Sequence, residues 1–189
     1  GGELIMARLR TLYETELRPQ LAETLGITNP MALPRLMKIT VSCGVGGAKD
    51  NKKLLQDAVE ILNRVTGQRS VVTKAKRPIA QFKLREGMPV GCMVTLRGDR
   101  AYEFLDRLIS VVIPRIRDFR GLPRNADKQG NYNMGIAEQS VFPEVGTDLL
   151  DNPQGMNIAI TIRNGENGAG QGLLEAFKFP FRREEETVG

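Results

Sequence analysis

Residues 69–97, RSVVTKAKRPIAQFKLREGMPVGCMVTLR, limit the possible folds more than any other stretch. Val71, Val72 and Thr73 are strand formers. Cys92, Val94 and Leu96 alternate with Met93, Thr95 and Arg97, the period of a strand with one buried face. Between the two strands lie Lys74, Lys76, Arg77, Lys83 and Arg85, with no acid before Glu86. Long loops that persist in compact domains are usually functional or disordered. The flanking chain therefore reads as a scaffold that holds out a basic arm.

Leu9, Leu12, Leu17, Leu21 and Leu25 keep roughly helical spacing, interrupted by Pro19. This predicts a kinked helix or two short ones, ending at Gly26. Residues 38–43 form a first strand, with Ile39, Val41 and Cys43 on one side and Lys38, Thr40 and Ser42 on the other. Gly44-Val45-Gly46-Gly47 then reads as a tight turn needing glycine for positive φ. Asp50 or Asn51 is placed to cap a helix with Leu54, Leu55, Ala58, Val59, Leu62 and Val65 along its apolar side, closed by Gly67. A further helix, with Asp99 as its expected cap, carries Tyr102, Leu105, Leu108, Ile109 and Val112 and stops at Pro114. Residues 131–136 and 156–163 read as the fourth and fifth strands. The glycine-rich run 164–172 predicts a loop, with a following helix cut down to its last turns near 173–177, because each interior Gly costs about 1 kcal/mol against Ala. From residue 38 the order is β-α-β-β-α-β with an added strand. That is the split-βαβ, ferredoxin-like α+β pattern: an antiparallel sheet of about five strands, helices on one face and an open polar face on the other, preceded by an N-terminal helical segment.

The chain has no histidine, which removes Ser-His-Asp and Cys-His nucleophile activation and every His-containing metal site. Cys43 and Cys92 lie in separate predicted strands and read as small buried thiols. The turn 44–47 resembles the opening of a dinucleotide fingerprint. However, Lys49 stands where a third Gly is wanted, and Thr73-Lys74 stand where an acid should end the next strand. No acids pair convincingly. Catalytic residues, metals and cofactors are therefore expected to be absent. No apolar run is long enough to span a membrane.

Residues 64–128 carry fifteen Lys and Arg against six Asp and Glu, whereas 129–189 carry four against nine. A basic middle third suggests a polyanionic partner, and an acidic last third a face turned to a basic protein or kept off RNA. Phe82 sits alone in the basic arm, placed either to stack on an unpaired base or to pack back on the sheet. An RRM-type reader is disfavoured, since Tyr132 is the rare aromatic in the strands.

VVTKAKRPIAQFKLREGMPVGCMVTLRGDRAYEFLDRLISVVIPRIRDFRGL (71–122) resembles the central block of the bacterial large-subunit ribosomal protein five family, and GNYNMGIAEQSVFPEV (130–145) its next block. MARLRTLYETELRPQL near the start, and GMNIAITI through LLEAFKFPFR near the end, are similar too, so the resemblance covers 6–182 in order. It implies a cytoplasmic, ribosome-bound, non-catalytic protein. Such a protein binds 5S rRNA beside 23S rRNA and neighbouring central-protuberance proteins, touches peptidyl-site tRNA and bridges to a small-subunit protein such as protein thirteen. Carried over by position, the 5S rRNA face takes in Arg35, Lys38, Thr40, Ser42, Gln68, Arg69 and Thr95. The tRNA arm takes in Lys76, Arg77, Phe82, Lys83 and Arg85, and the bridge segment, 142–156, Glu144, Asp148 and Asp151. Ser42-Cys43 replaces the family's usual Asn-Met, and the run 164–172 replaces the first half of an acidic, Ala-rich helix. Residues 1–5 are expected to be an over-read leader before Met6, 6–182 a single domain and 183–189 a frayed acidic tail. The alternatives are a free-standing RNA-binding regulator or chaperone and, on the 44–47 turn, a nucleotide-using enzyme.

Overall fold

The computed structural model describes residues 7–49, 51–124, 126–149 and 152–182, so the expected leader and acidic tail lie outside the described residues. Five strands make one open sheet: β1 (Arg35–Gly44), β2 (Val71–Lys74), β3 (Pro89–Leu96), β4 (Tyr132–Ile136) and β5 (Met156–Arg163), in the order β2-β3-β1-β5-β4. β3 inserts between β1 and β2, antiparallel to both, which is the split of the βαβ unit. The added strand of the pattern is β4, which takes the far edge, while β5 lies beside β1.

The chain forms two compact units, one from the described parts of 1–38, 97–133 and 160–189, the other from 39–96 and 134–159. In the second unit, Ile39, Val41 and Cys43 of β1 lie opposite Leu96, Val94 and Cys92 of β3, and all six are buried. Helix α3 (Lys52–Thr66) begins at Asn51, whose side chain accepts from the Lys53 N–H at 2.9 Å, and ends at Gly67 with φ 65°. Asp50 lies outside the described residues. The buried stripe of α3 is Ala58, Ile61, Leu62 and Val65, spaced i, i+3, i+4, i+7. Leu54, Leu55 and Val59, expected on the apolar side, are only half-buried. β2 has four residues, too few to cover that flank, so Leu55 and Val59 line a shallow groove with Val72. Gly44, Gly46 and Gly47 all have ordinary φ, contrary to the expected left-handed turn. Residues Gly46–Lys49 instead close a 3₁₀ turn.

In the first unit, α1 (Arg8–Leu12) and α2 (Arg18–Leu25) join without a break through a π-helical turn, Tyr13–Leu17, and stop at Gly26, φ 65°. Proline lacks an N–H and its ring crowds the carbonyl four residues back. The widened turn, in which the Arg18 N–H reaches Tyr13 O, makes room for Pro19. Helix α4 (Asp99–Arg107) repeats the device, with a π turn over Leu108–Val112 ahead of Pro114. The N-cap of α4 is Gly98, φ 59°, rather than Asp99. The Asp99 carboxylate accepts from Arg10 at 2.9 Å instead.

Helix α5 (Ala169–Ala176) begins within the glycine-rich run, earlier than the sequence predicts. Gly168, φ 83°, is its N-cap, and Gly170 and Gly172 are helical. The close approach of backbones explains Gly130, Gly165 and Gly170. A Cβ on Gly170 would come within 2.3 Å of Gly130 O, and one on Gly130 within 2.1 Å of Gly165 O. Here glycine gives up helix propensity for a junction that no larger residue fits.

Candidate nucleic-acid interface

The open side of the second unit is built by strand alternation. On β1, Thr40 and Ser42 point away from the core and are half-buried. The register sets Thr40 opposite Thr95 and Ser42 opposite Met93 on β3, with Val71 of β2 opposite Met93. β2 begins two residues short of the position facing Thr95, and the Gln68 side chain fills the gap by donating to Thr95 O at 3.1 Å. Thr40, Thr95 and Gln68 are thus brought together, while Arg69 stands exposed beside them. At Gly91 a Cβ would meet Cys43 O at 2.4 Å and Thr73 Oγ1 at 3.3 Å, so this strand crossing requires glycine. Cys43 and Cys92 are buried opposite each other as free thiols, and the Cys43 thiol donates to Gly155 O at 3.1 Å. The neighbouring sulfur and burial raise the Cys92 thiol far above its usual range.

The basic arm is an ordered hairpin extension. Ala75 N–H donates to Met88 O at 2.8 Å and Gly87 N–H to Ala75 O at 2.9 Å. Further out, Ile79 and Leu84 exchange backbone bonds of 3.0 and 3.1 Å around a 3₁₀ turn, Ala80–Phe82. Lys83 turns the tip in the left-handed region, φ 52°. Lys76, Arg77, Lys83 and Arg85 are all exposed. Phe82 is 59% exposed. Tyr132 is 1% exposed, its hydroxyl donates to Pro123 O at 2.8 Å, and its ring lies edge-on to Phe179 and Phe181. It is no stacking platform, and burial holds its hydroxyl up at about 12.

The segment 142–156 hangs on Gln139, a residue the sequence reading passed over. Gln139 is 1% exposed; its amide donates to Leu149 O at 3.2 Å and Asn152 O at 2.9 Å, while its oxygen accepts from the Gln154 N–H. Nothing in the local pattern distinguishes it from a surface Gln. Asp148 is exposed and holds Arg64 of α3 through contacts of 3.1 and 3.2 Å, a guanidinium that also bonds Glu60. Hydrogen bonding from Arg64 keeps the Asp148 carboxyl below its usual range. Glu144 is half-buried, and Asp151 lies outside the described residues.

In the first unit, Arg35 is exposed and Lys38 half-buried at the start of β1. Arg35 shares a pocket of about 360 Å³ with Arg10, Arg18 and Arg163, which sequence reasoning missed because they come from α1, α2 and the end of β5. Among the described residues, no group of three or more His, Cys, Asp or Glu is placed to hold a metal, and no helix is long and apolar enough to cross a membrane.

Comparison with known proteins accounts for nearly all of this chain. Residues 29–85 match the family model described as Ribosomal protein L5, and 89–181 match the model of that ribosomal family's C-terminus. The chain is 53% identical over 178 residues to the large ribosomal subunit protein uL5 of Psychrobacter cryohalolentis, covering 94% of this chain and 100% of that protein. It is 54% identical to the uL5 of Methylococcus capsulatus and 50% to that of Xylella fastidiosa strain 9a5c, each over 94% of this chain and 99% of the relative. With matches that run almost end to end over an open antiparallel α+β sheet, the chain belongs to the ribosomal protein L5 family.

Proposed function

We propose that this protein, as a constituent of the large ribosomal subunit, binds 5S rRNA, helps seat it in the central protuberance beside 23S rRNA and neighbouring proteins, and reaches peptidyl-site tRNA with its basic arm. The segment 142–156 serves as the bridge to a basic small-subunit protein such as protein thirteen. A member of a ribosomal protein family is no enzyme, and the dinucleotide reading of 44–47 falls with that membership.

The observation that carries the reading is the division of polar surface. Thr40, Thr95 and Gln68 form a fixed polar array, with Thr40 opposite Thr95 and the Gln68 amide bonded to Thr95 O. The arm offers Lys76, Arg77, Lys83, Arg85 and Phe82 to solvent on a hairpin of its own. A fixed array suits the shape and 2′-hydroxyl of folded RNA, while an exposed basic hairpin with one aromatic suits a second RNA further out.

The test is 5S rRNA affinity against a size-matched control RNA through a salt titration. The expected result is a preference for 5S, with log K falling by roughly 0.7 to 0.9 per log salt for each phosphate neutralised. Equal binding of both RNAs would show that only the basic field had been read. Lys38→Ala is expected to weaken 5S binding by about 1 kcal/mol or more, the scale of a charge-assisted contact.

A further inference from the structure

We infer that the arginine-lined pocket of the first unit takes a single unstacked RNA nucleotide, its phosphate between Arg35 and Arg163 and its base against Met31 and Met37. The inference rests on the 5S rRNA reading and deepens it by naming a contact away from the Thr40–Thr95 array.

The pocket of about 360 Å³ is lined by Arg10, Arg18, Arg35 and Arg163 against one acid, Glu14. Two of these guanidiniums are committed: Arg10 bonds Asp99 and Glu14, and Arg18 donates to Pro30 O at 3.3 Å. Arg35 and Arg163 are exposed and bond no side chain or carbonyl among the described residues. They come from neighbouring strands, β1 and β5, and line the same pocket, so two planar fork donors are available to one ligand there.

The lip beside them is apolar and fixed. Met31 is 73% exposed and Met37 47%. A loose loop would explain exposed methionine, but this lip is tied down. The Met31 N–H donates to Asn29 Oδ1 at 3.0 Å, and the Asn164 amide donates to Met31 O at 3.0 Å and Leu33 O at 3.4 Å. Asn164 holds that position in the left-handed region, φ 57°. The floor is also rigid, since the buried Tyr13 hydroxyl donates to Pro34 O at 2.8 Å and its ring packs 6.4 Å from that of Tyr102. A polarizable apolar surface held open beside uncommitted guanidiniums fits a base with its phosphate. An acidic peptide would use the charge and leave the methionines in water.

The experiment compares 5S rRNA binding by the full chain with that of Arg163→Ala and of the double variant Met31→Ala/Met37→Ala, with Lys38→Ala and a size-matched control RNA alongside. Arg163→Ala is expected to weaken 5S binding about tenfold and to lower the salt slope by roughly 0.7 to 0.9, one phosphate. The methionine variant is expected to lose about fivefold with no change in slope, the mark of an apolar contact. Wild-type binding from both variants while Lys38→Ala is weakened would overturn the pocket and leave the 5S reading standing. An effect of Arg163→Ala alone would reduce the pocket to a phosphate contact and overturn the nucleotide. No preference of the wild-type chain for 5S over the control would overturn the reading beneath both. All these positions except Lys38 are exposed, and unchanged thermal unfolding checks that each variant folds.

Discussion

Single residues do here what local propensity does not foresee. By helix propensity alone, replacing either helical glycine of α5 by alanine should stabilise by up to about 1 kcal/mol. Gly172 meets that condition, because among the described residues nothing lies within 4 Å of where its Cβ would go. Gly170 does not, because its Cβ would strike the backbone of Gly130. Gly172→Ala is expected to raise the denaturation midpoint, and Gly170→Ala to lower stability by about 1–3 kcal/mol, as overpacking does. Chemical denaturation of the two variants side by side checks this, and equal shifts would refute the junction. The contrast also shows what was not legible in the sequence. The run 164–172 reads as a loop because its glycines count against a helix locally, and no local signal reveals that Gly130, 34 residues before Asn164 in the chain, needs Gly165 and Gly170. Asp99 misled in the same way, since a good capping residue was taken up by a distant arginine.

Whole elements were far more legible. All five strands were placed from the sequence, and alternation gave the faces of Lys38, Thr40 and Ser42 on β1 and of Met93 and Thr95 on β3, because a period of two fixes orientation once one side is buried. The arm was legible from charge and length, and its hairpin bonds explain how so many like charges keep an ordered backbone. Those bonds run backbone to backbone, so the arm's basic side chains carry little of its order. Lys83→Ala/Arg85→Ala is therefore expected to change stability by no more than about 0.5 kcal/mol, to leave 5S rRNA affinity largely intact and to reduce tRNA cross-linking in assembled ribosomes. A strong loss of 5S affinity would show that the two RNA surfaces had been divided wrongly. The segment 142–156 is held differently, by one buried amide. Gln139→Ala leaves the Leu149 and Asn152 carbonyls and the Gln154 N–H without that partner, at about 1–3 kcal/mol for each group that stays buried and unsatisfied. Faster amide exchange confined to 142–156, with α3 unchanged, is the expected signature.

On the scale of the whole molecule, the basic middle and acidic end were plain in the sequence, but the ion pairs of Arg8 with Asp106, Arg10 with Asp99 and Arg64 with Asp148 were not, because they join residues 84 to 98 apart in the chain. Asp106 is hydrogen-bonded by Arg8, Asp148 by Arg64 and Asp127 by the Asn131 amide and backbone N–H groups, and each carboxyl is held below its usual range by those bonds. A carboxyl lowered in the folded state contributes stability that is present above its unfolded value, about 4, and is lost as the pH falls through the folded value. At the other end, burial holds Tyr102 and Tyr132 protonated up to about 12. Their contribution is complete below the unfolded value of about 10 and is lost as the pH rises through the folded one. Between these limits the chain has no histidine, the side chain whose ordinary pKa falls between 5 and 8. Stability is therefore expected to run flat from about pH 5 to about pH 8 and to fall on both sides, on the alkaline side first through the raised Cys92 thiol, whose unfolded value is about 8.5, and then through the tyrosines, in thermal unfolding followed by circular dichroism from pH 3 to 12. RNA affinity over pH 6 to 8 should be flat too, while responding steeply to salt, since neutralised phosphates rather than titrating groups set it. A step in either quantity near pH 6.5 would mean that a group other than these carboxyls and tyrosines controls the folded state or the RNA surface.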